Sequence, residues 1–229
     1  MARVCVFDVI ETMLDLRALD PHFARAFGDA GARQEWFQQL LQSAMVATMT
    51  GAYTDFGGIG RAALEMIAAR RGQHLSPEDR QAILGGVRQL PAHPEVEPGL
   101  QRLRAAGLRL AALTNSTEQV AEAQLSHARL RPYFQLVLSS DAVRCFKPAP
   151  EPYRMAAERL GVETGHIRLI AAHAWDVAGA LRAGCAAAFV ARPGKVLDPL
   201  APQPDVIGAD LQAVVDRILE RESRSVAPP

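Results

Sequence analysis

An aspartate closing a short apolar run, with a threonine four residues later, is the first pair in this chain equipped for more than packing. The run is Val4-Cys5-Val6-Phe7-Asp8 and the threonine is Thr12. A carboxylate at the end of a buried strand is desolvated and aimed, which is what a weak oxygen nucleophile needs. Other polar groups follow later apolar runs: Thr114-Asn115, Lys147, and His173 with Asp176. In an open α/β sheet, strand ends of this kind converge on the edge where ligands sit. There Lys147 would keep Asp8 ionised and Thr12 would orient it by a hydrogen bond, leaving Asp176 and His173 to direct a water. Each group also has a plainer reading: a helix N-cap for Asp8, a surface charge for Lys147, a turn for Asn115, a helix N-terminal acid for Asp176. Their joint arrival at one edge favours the chemical reading.

The elements that must position these groups are legible in the apolar pattern. Continuous apolar runs recur at 108–113, 136–138, 167–172 and 186–190, as strands buried on both faces require. Helical patterns lie between them at 99–106, 118–128, 152–160 and 176–183, with Gly107, Gly161 and Gly184 at helix C-termini. This alternation predicts a doubly wound, Rossmann-like α/β core with a parallel sheet. Residues 16–95 break it with four helical patterns in succession, at 21–27, 34–49, 60–71 and 78–90. The last opens on Ser76-Pro77-Glu78-Asp79, a cap, a proline and two acids at the positive helix end. In the second, Trp36, Leu40, Leu41, Met45 and Met49 form a stripe expected to face a bundle core. The expected organisation is a catalytic core, 1–15 and 96–229, with a helical cap, 16–95, over its active edge. From about Glu222 onward no ordered element is expected.

Composition narrows the partners. Lys plus Arg and Asp plus Glu are 25 each, and no basic stripe is interleaved with aromatics, so no nucleic-acid partner is expected. The opening apolar run is too short for a signal segment, and no run approaches membrane-spanning length. Cys5, Cys145 and Cys185 are odd in number and widely spaced, which argues against a disulfide framework or zinc site and for a reducing cytoplasm.

These residues carry a family resemblance. Phe7-Asp8-Val9-Ile10-Glu11-Thr12-Met13-Leu14 resembles the first motif of the haloacid dehalogenase superfamily, and Leu113-Thr114-Asn115-Ser116 the second. Lys147-Pro148 with Pro152-Tyr153 resembles the third. The segment 174–180, Ala-Trp-Asp-Val-Ala-Gly-Ala, with Gly184 and Arg192-Pro193-Gly194, resembles the fourth as the L-2-haloacid dehalogenase branch has it. The resemblance implies a hydrolase that uses Asp8 as a covalent nucleophile on a small 2-substituted carboxylic acid, with no cofactor and no metal. It implies Asp8, Thr12, Lys147, His173 and Asp176 as catalytic residues. Ile10, Thr114, Asn115, Tyr153 and Trp175 would contact substrate, with Asn115 donating to a substrate carboxylate or leaving group. Homodimerisation through the cap is also implied.

Departures from the pattern sharpen the expectation. Phosphatase branches carry a second Asp two residues after the nucleophile, where this chain has Ile10, which transfers no proton. They pair acids four residues apart in the fourth motif, where this chain has Ala172 before Asp176. A magnesium phosphatase is therefore disfavoured. The dehalogenase branch itself usually has Ser and Asn at Ala171 and His173, Gly at Glu11, and a cap arginine where Trp36-Phe37-Gln38-Gln39 stands. His173 is read as a general base in place of the Asn, and Arg33 or Arg144 as candidates for the missing arginine. Alternatives are hydrolysis of a non-halide substrate such as azetidine-2-carboxylate, and a ligand-binding relative without catalysis.

Overall fold

The computed structural model describes residues 4–224. Among them a six-stranded sheet runs in the order β3-β2-β1-β4-β5-β6, every pairing parallel. The strands are β1 (Val4–Phe7), β2 (Arg109–Thr114), β3 (Leu136–Ser139), β4 (Ile167–Ala171), β5 (Ala186–Val190) and β6 (Val206–Gly208). The apolar runs follow from burial on two faces. Along β1, Cys5 and Phe7 join one apolar cluster while Val4 and Val6 join the other, and β2 divides its residues the same way.

β1 is central, with Phe7 level with Ala112 of β2 and Ile170 of β4. Chain order reverses across the β1–β4 pair, which is where a crevice opens at the carboxyl ends of a doubly wound sheet. Asp8 leaves β1 at that crevice, its N–H bonded to the Ile170 carbonyl at 3.0 Å.

Four helices stand between β1 and the next strand's helix: α1 (Asp20–Phe27), α2 (Ala32–Thr50), α3 (Phe56–Arg70) and α4 (Pro77–Gly86). Then follow α5 (Val96–Ala105), α6 (Glu118–His127), α7 (Pro150–Leu160), α8 (Ala174–Arg182) and α9 (Leu211–Arg224). The start of α4 is as expected, with Ser76 accepting from the Asp79 N–H and Pro77 opening the helix. Its end is not: α4 stops at Gly86 and Val87–Gln89 forms a 3-10 turn. The α2 stripe also needs correction. Trp36 and Leu40 are buried, but the buried line continues through Ala44, at four-residue steps, and Met49 is 86% exposed. Leu41, Met45 and Met49 lie on the flank one residue round the helix, which turns toward solvent along α2.

Two elements lie outside the sequence expectations. β6 is three residues long, below what an apolar run can signal, and extends the sheet edge beside β5. α9 buries Leu211, Val214, Val215 and Ile218 at helical spacing and continues past Glu222 to Arg224; residues 225–229 lie outside the described residues. No described helix is long and apolar enough to cross a membrane. The three cysteines are unpaired, and burial pushes the Cys5 and Cys185 thiols up to about 12.

Candidate active site

The loop after β1 folds back on itself, because the N–H groups of Met13 and Leu14 both bond the Val9 carbonyl. This returns Thr12 to Asp8, where its hydroxyl donates to Asp8 Oδ2 at 2.6 Å and accepts from the Ala172 N–H at 2.9 Å. Thr12 thus ties the ends of β1 and β4 together. Its own carbonyl is gripped by the Arg192 guanidinium, from Nε at 3.2 Å and Nη2 at 2.8 Å.

Lys147 enters from the segment between β3 and α7 and is fully buried. Its ammonium donates to Asp8 Oδ1 at 2.9 Å, the Leu113 carbonyl at 2.9 Å and Asp176 Oδ2 at 2.6 Å. Those three acceptors use all three ammonium hydrogens. Asn115 fixes the lysine's backbone, accepting from the Lys147 N–H at 2.9 Å and donating to its carbonyl at 3.3 Å. One amide hydrogen of Asn115 is left for anything in the crevice.

Asp176 lies in the first turn of α8, and the Tyr153 hydroxyl donates to its Oδ1 at 2.6 Å. The contact depends on Gly179, where a Cβ would stand 2.6 Å from the Pro148 carbonyl oxygen and 2.7 Å from the Tyr153 hydroxyl. Burial works to raise the Asp8 carboxyl, but Lys147's charge and the His173 and Thr12 contacts outweigh it and hold Asp8 well below the ordinary range. Burial raises Asp176, helped by the charge on Asp8, and Lys147 offsets this only in part. Lys147 itself is held above its ordinary value, the two carboxylates outweighing its desolvation.

His173 sits at the N-cap of α8, in the crevice between β1 and β4. Nδ1 lies 3.3 Å from Asp8 Oδ2, and Nε2 lies 2.8 Å from Glu11 Oε2. Its ring stacks on Trp175 at 5.1 Å and tilts against Phe37 at 6.0 Å. Burial would lower its pKa, yet hydrogen bonds to Asp8 and Glu11 prevail and raise it.

A cavity of about 20 Å³ adjoins Asp8, walled by Ile10, Phe37, Leu41, Phe56, Thr114, Asn115, His173 and Trp175. Ile10, Phe37 and Phe56 also line a larger cavity of about 720 Å³ that runs on past α3, α4 and the start of α6. Within the small cavity's wall, the Trp175 indole N–H is buried and finds no acceptor among the described residues.

The structure thus gathers Asp8, Thr12, Lys147, His173 and Asp176 around one point and places Ile10, Thr114, Asn115 and Trp175 on the cavity wall. Tyr153 is the exception among the expected pocket residues: it is 1% exposed and lies behind Asp176, since the small Gly179 admits it there. Neither candidate arginine reaches the small cavity's wall. Arg33 pairs with Asp20 at 2.5 Å and approaches Glu11 at 3.9 Å, while Arg144 lies over the Tyr53 ring at 4.9 Å. Among the described residues, no group of three or more His, Cys, Asp or Glu is arranged to hold a metal ion. Sequence reasoning passed over three residues: Glu11, Lys195, which bonds Glu11 at 2.5 Å, and Arg192 as the clamp on Thr12. One signal was available for Glu11. It and His173 both depart from the family pattern, in motifs that the fold brings into contact.

A family model described as haloacid dehalogenase-like hydrolase matches residues 2–184. An (S)-2-haloacid dehalogenase from Pseudomonas sp. (strain YL) is 29% identical over 212 residues, covering 92% of this chain and 91% of its own. (S)-2-haloacid dehalogenase 4A from Burkholderia cepacia is 30% identical over 201 residues, 84% of each chain. Among solved structures, L-2-haloacid dehalogenase from Xanthobacter autotrophicus matches with a TM-score of 0.89 at 26% identity, covering 99% of this chain and 100% of that one. A second structure of that enzyme, with chloropropionic acid covalently bound, matches at 0.88 and 25% identity over 99% of this chain and 100% of that one.

Proposed function

Because the chain belongs to the haloacid dehalogenase-like hydrolase family, we propose that it is a 2-haloacid dehalogenase whose Asp8 attacks C2 of a small 2-halocarboxylate. The observation carrying this reading is the Asp8 carboxylate itself: buried, held ionised, and bonded to Lys147 at 2.9 Å and Thr12 at 2.6 Å beside an apolar cavity. Curated relatives bearing that activity support it, as does the covalent adduct in a structural neighbour. Asp8 forms a C–O bond at C2 as the carbon–halogen bond breaks, and halide leaves. Water then attacks Cγ of Asp8, the bond between Cγ and the alkyl oxygen breaks, and the 2-hydroxy acid departs. Displacement inverts C2 once, and hydrolysis at Cγ leaves it untouched.

Lys147 neutralises the paired carboxylates, a task that falls to a cation in phosphoryl-transfer sites. Thr12 aims Asp8, Asp176 anchors Lys147, and His173 serves the hydrolytic water as base. The free Asn115 amide hydrogen and the unpartnered Trp175 N–H are the donors for departing halide or substrate carboxylate. Space of about 20 Å³ beside Asp8 holds little more than one water, so substrate reaches Asp8 through the larger cavity. In this reading residues 16–95 are a cap on a core formed by 1–15 and 96–229. The protein works in the cytoplasm as a homodimer, without cofactor.

The absence of an arginine or lysine from the small cavity's wall, among the described residues, favours one further reading. A ring nitrogen, as in azetidine-2-carboxylate, needs a proton rather than a cationic cradle, and protonated His173 adjoins the reacting carboxylate. Halide release from (S)-2-chloropropionate, lost by about 10⁴-fold or more in Asp8→Asn, tests the main reading. Hydroxyamino acid formed from azetidine-2-carboxylate, with no turnover of haloacids, would replace it with the second.

A further inference from the structure

Glu11 has a left-handed backbone, φ 63°, which a side chain with a Cβ rarely adopts. Such a conformation persists only when its surroundings hold it; here the Glu11 N–H bonds the Leu14 carbonyl at 2.9 Å, and the carboxylate is gripped as well. Oε2 meets His173 Nε2 at 2.8 Å and Lys195 Nζ at 2.5 Å, while Oε1 lies 3.9 Å from Arg33. The imidazole is therefore held at both ends: Asp8 on Nδ1 and Glu11 on Nε2, with Phe37 and Trp175 against its faces.

We propose that Glu11 is a positioning residue for the second half-reaction, fixing the His173 ring so that Nδ1 faces Asp8 and takes the proton of the water that cleaves the ester. The proposal rests on the reading above that Asp8 becomes an ester. Glu11 accepts from Nε2–H throughout, so the ring can neither flip nor choose the other tautomer. Lys195 keeps Glu11 ionised for that purpose; burial opposes ionisation, but His173 and Lys195 outweigh it.

Charge on Asp8 then governs the proton on Nδ1. In the resting site both ring nitrogens face carboxylates, and the imidazolium donates to each. Alkylation converts Asp8 to a neutral ester and removes one of the two anions that favoured the proton, which departs to solvent alongside the halide. Now neutral, Nδ1 takes a proton from water as the water oxygen bonds to Cγ. When the Cγ–O bond to the substrate breaks, that proton passes to the leaving alkoxide. The newly formed Asp8 carboxylic acid returns its own proton to Nδ1 and restores the ion pair. The sum is alkyl halide plus water giving alcohol, halide and one proton. The charged groups around His173 are Asp8 and Glu11 directly, Lys147 behind Asp8, and Lys195 and Arg33 behind Glu11.

Glu11→Gly is the informative variant, because glycine adopts φ 63° without strain and the fold is not put at risk. With (S)-2-chloropropionate as probe, rapid-quench intact mass should show the Asp8 ester accumulating in Glu11→Gly and Glu11→Gln. Halide should appear as a burst of about one per chain, followed by turnover slowed about 10²-fold. The acidic limb of the ester-hydrolysis rate should move to lower pH in both variants, since His173 loses an anionic partner. Glu11→Asp, which keeps the charge, should recover part of the rate and the limb. A wild-type burst ratio and pH limb in Glu11→Gly would overturn the positioning role while leaving the dehalogenase reading intact. Absence of halide from the wild type would instead remove that reading. In that event substrate-free imidazole ¹⁵N NMR still decides the geometry: the His173 titration should fall in Glu11→Gly, and an unchanged midpoint overturns the proposal.

Discussion

Lys147 has no spare hydrogen: each is committed to a buried acceptor, and two of those acceptors are carboxylates. Lys147→Met would strip Asp8 and Asp176 of the ammonium they share, leaving only the His173 ring beside Asp8. Asp176, whose carboxyl burial already raises, then takes a proton, and Asp8 loses the neighbouring charge that does most to hold it ionised for nucleophilic attack. The expected outcome is loss of ester formation together with a stability loss of about 3–5 kcal/mol, read by urea unfolding. The pH dependence of stability should carry the same signature. Because Asp8 titrates lower folded than unfolded, its contribution is complete above about pH 4 and is lost as pH falls through its depressed folded value. Asp8→Asn should flatten that acid limb, and a limb of unchanged slope would contradict the assignment. At this scale Asp8, Thr12, Lys147 and Asp176 were legible because strand ends announce themselves in sequence. Glu11 and Lys195 were not, since each acts through a partner more than 150 residues away, and no local pattern encodes such a contact.

Among the elements, α8 carries Asp176 to its place, and Gly179 sets how closely that helix approaches the Lys147–Pro148 segment. A methyl group at Gly179 meets a backbone oxygen at 2.6 Å, which cannot step aside as a flexible side-chain end could. Gly179→Ala should therefore push α8 outward and cost about 1–3 kcal/mol in thermal unfolding. Activity should fall with it, because Asp176 and Tyr153 separate as the helix moves. An alanine variant with wild-type stability and turnover would mean that the approach is looser than described. Strands β1–β5 and the helices between them were readable because two-sided burial writes continuous apolar runs. β6 was not, as three residues give no periodicity, and the α2 stripe misled because neighbouring flanks of one helix carry apolar residues alike.

For the molecule as a whole, the decisive feature of the site is the disparity between about 20 Å³ at Asp8 and about 720 Å³ beyond Ile10, Phe37 and Phe56. Insertion of the helices after β1 could be read from the break in alternation, but the hollow they leave could not, since it depends on how distant surfaces meet. A substrate whose C2 substituent extends into the larger space should be favoured, so kcat/KM should rise from 2-bromopropionate to 2-bromohexanoate. Gly85 lines that space and has nothing within 4 Å of the position its Cβ would take. Gly85→Phe should then lower kcat/KM for the longer acid about 10-fold while sparing the shorter one. Equal effects on both acids would argue that C2 substituents do not enter there.

A single apolar cluster contains Phe7 and Ala112 from the sheet together with Phe23, Trp36, Leu64 and Ile83 from α1, α2, α3 and α4. Warming cannot loosen the inserted helices without exposing side chains on which the sheet's own packing rests. Differential scanning calorimetry should accordingly record one endotherm, its van't Hoff and calorimetric enthalpies equal, with the helices and the sheet melting as a single cooperative body.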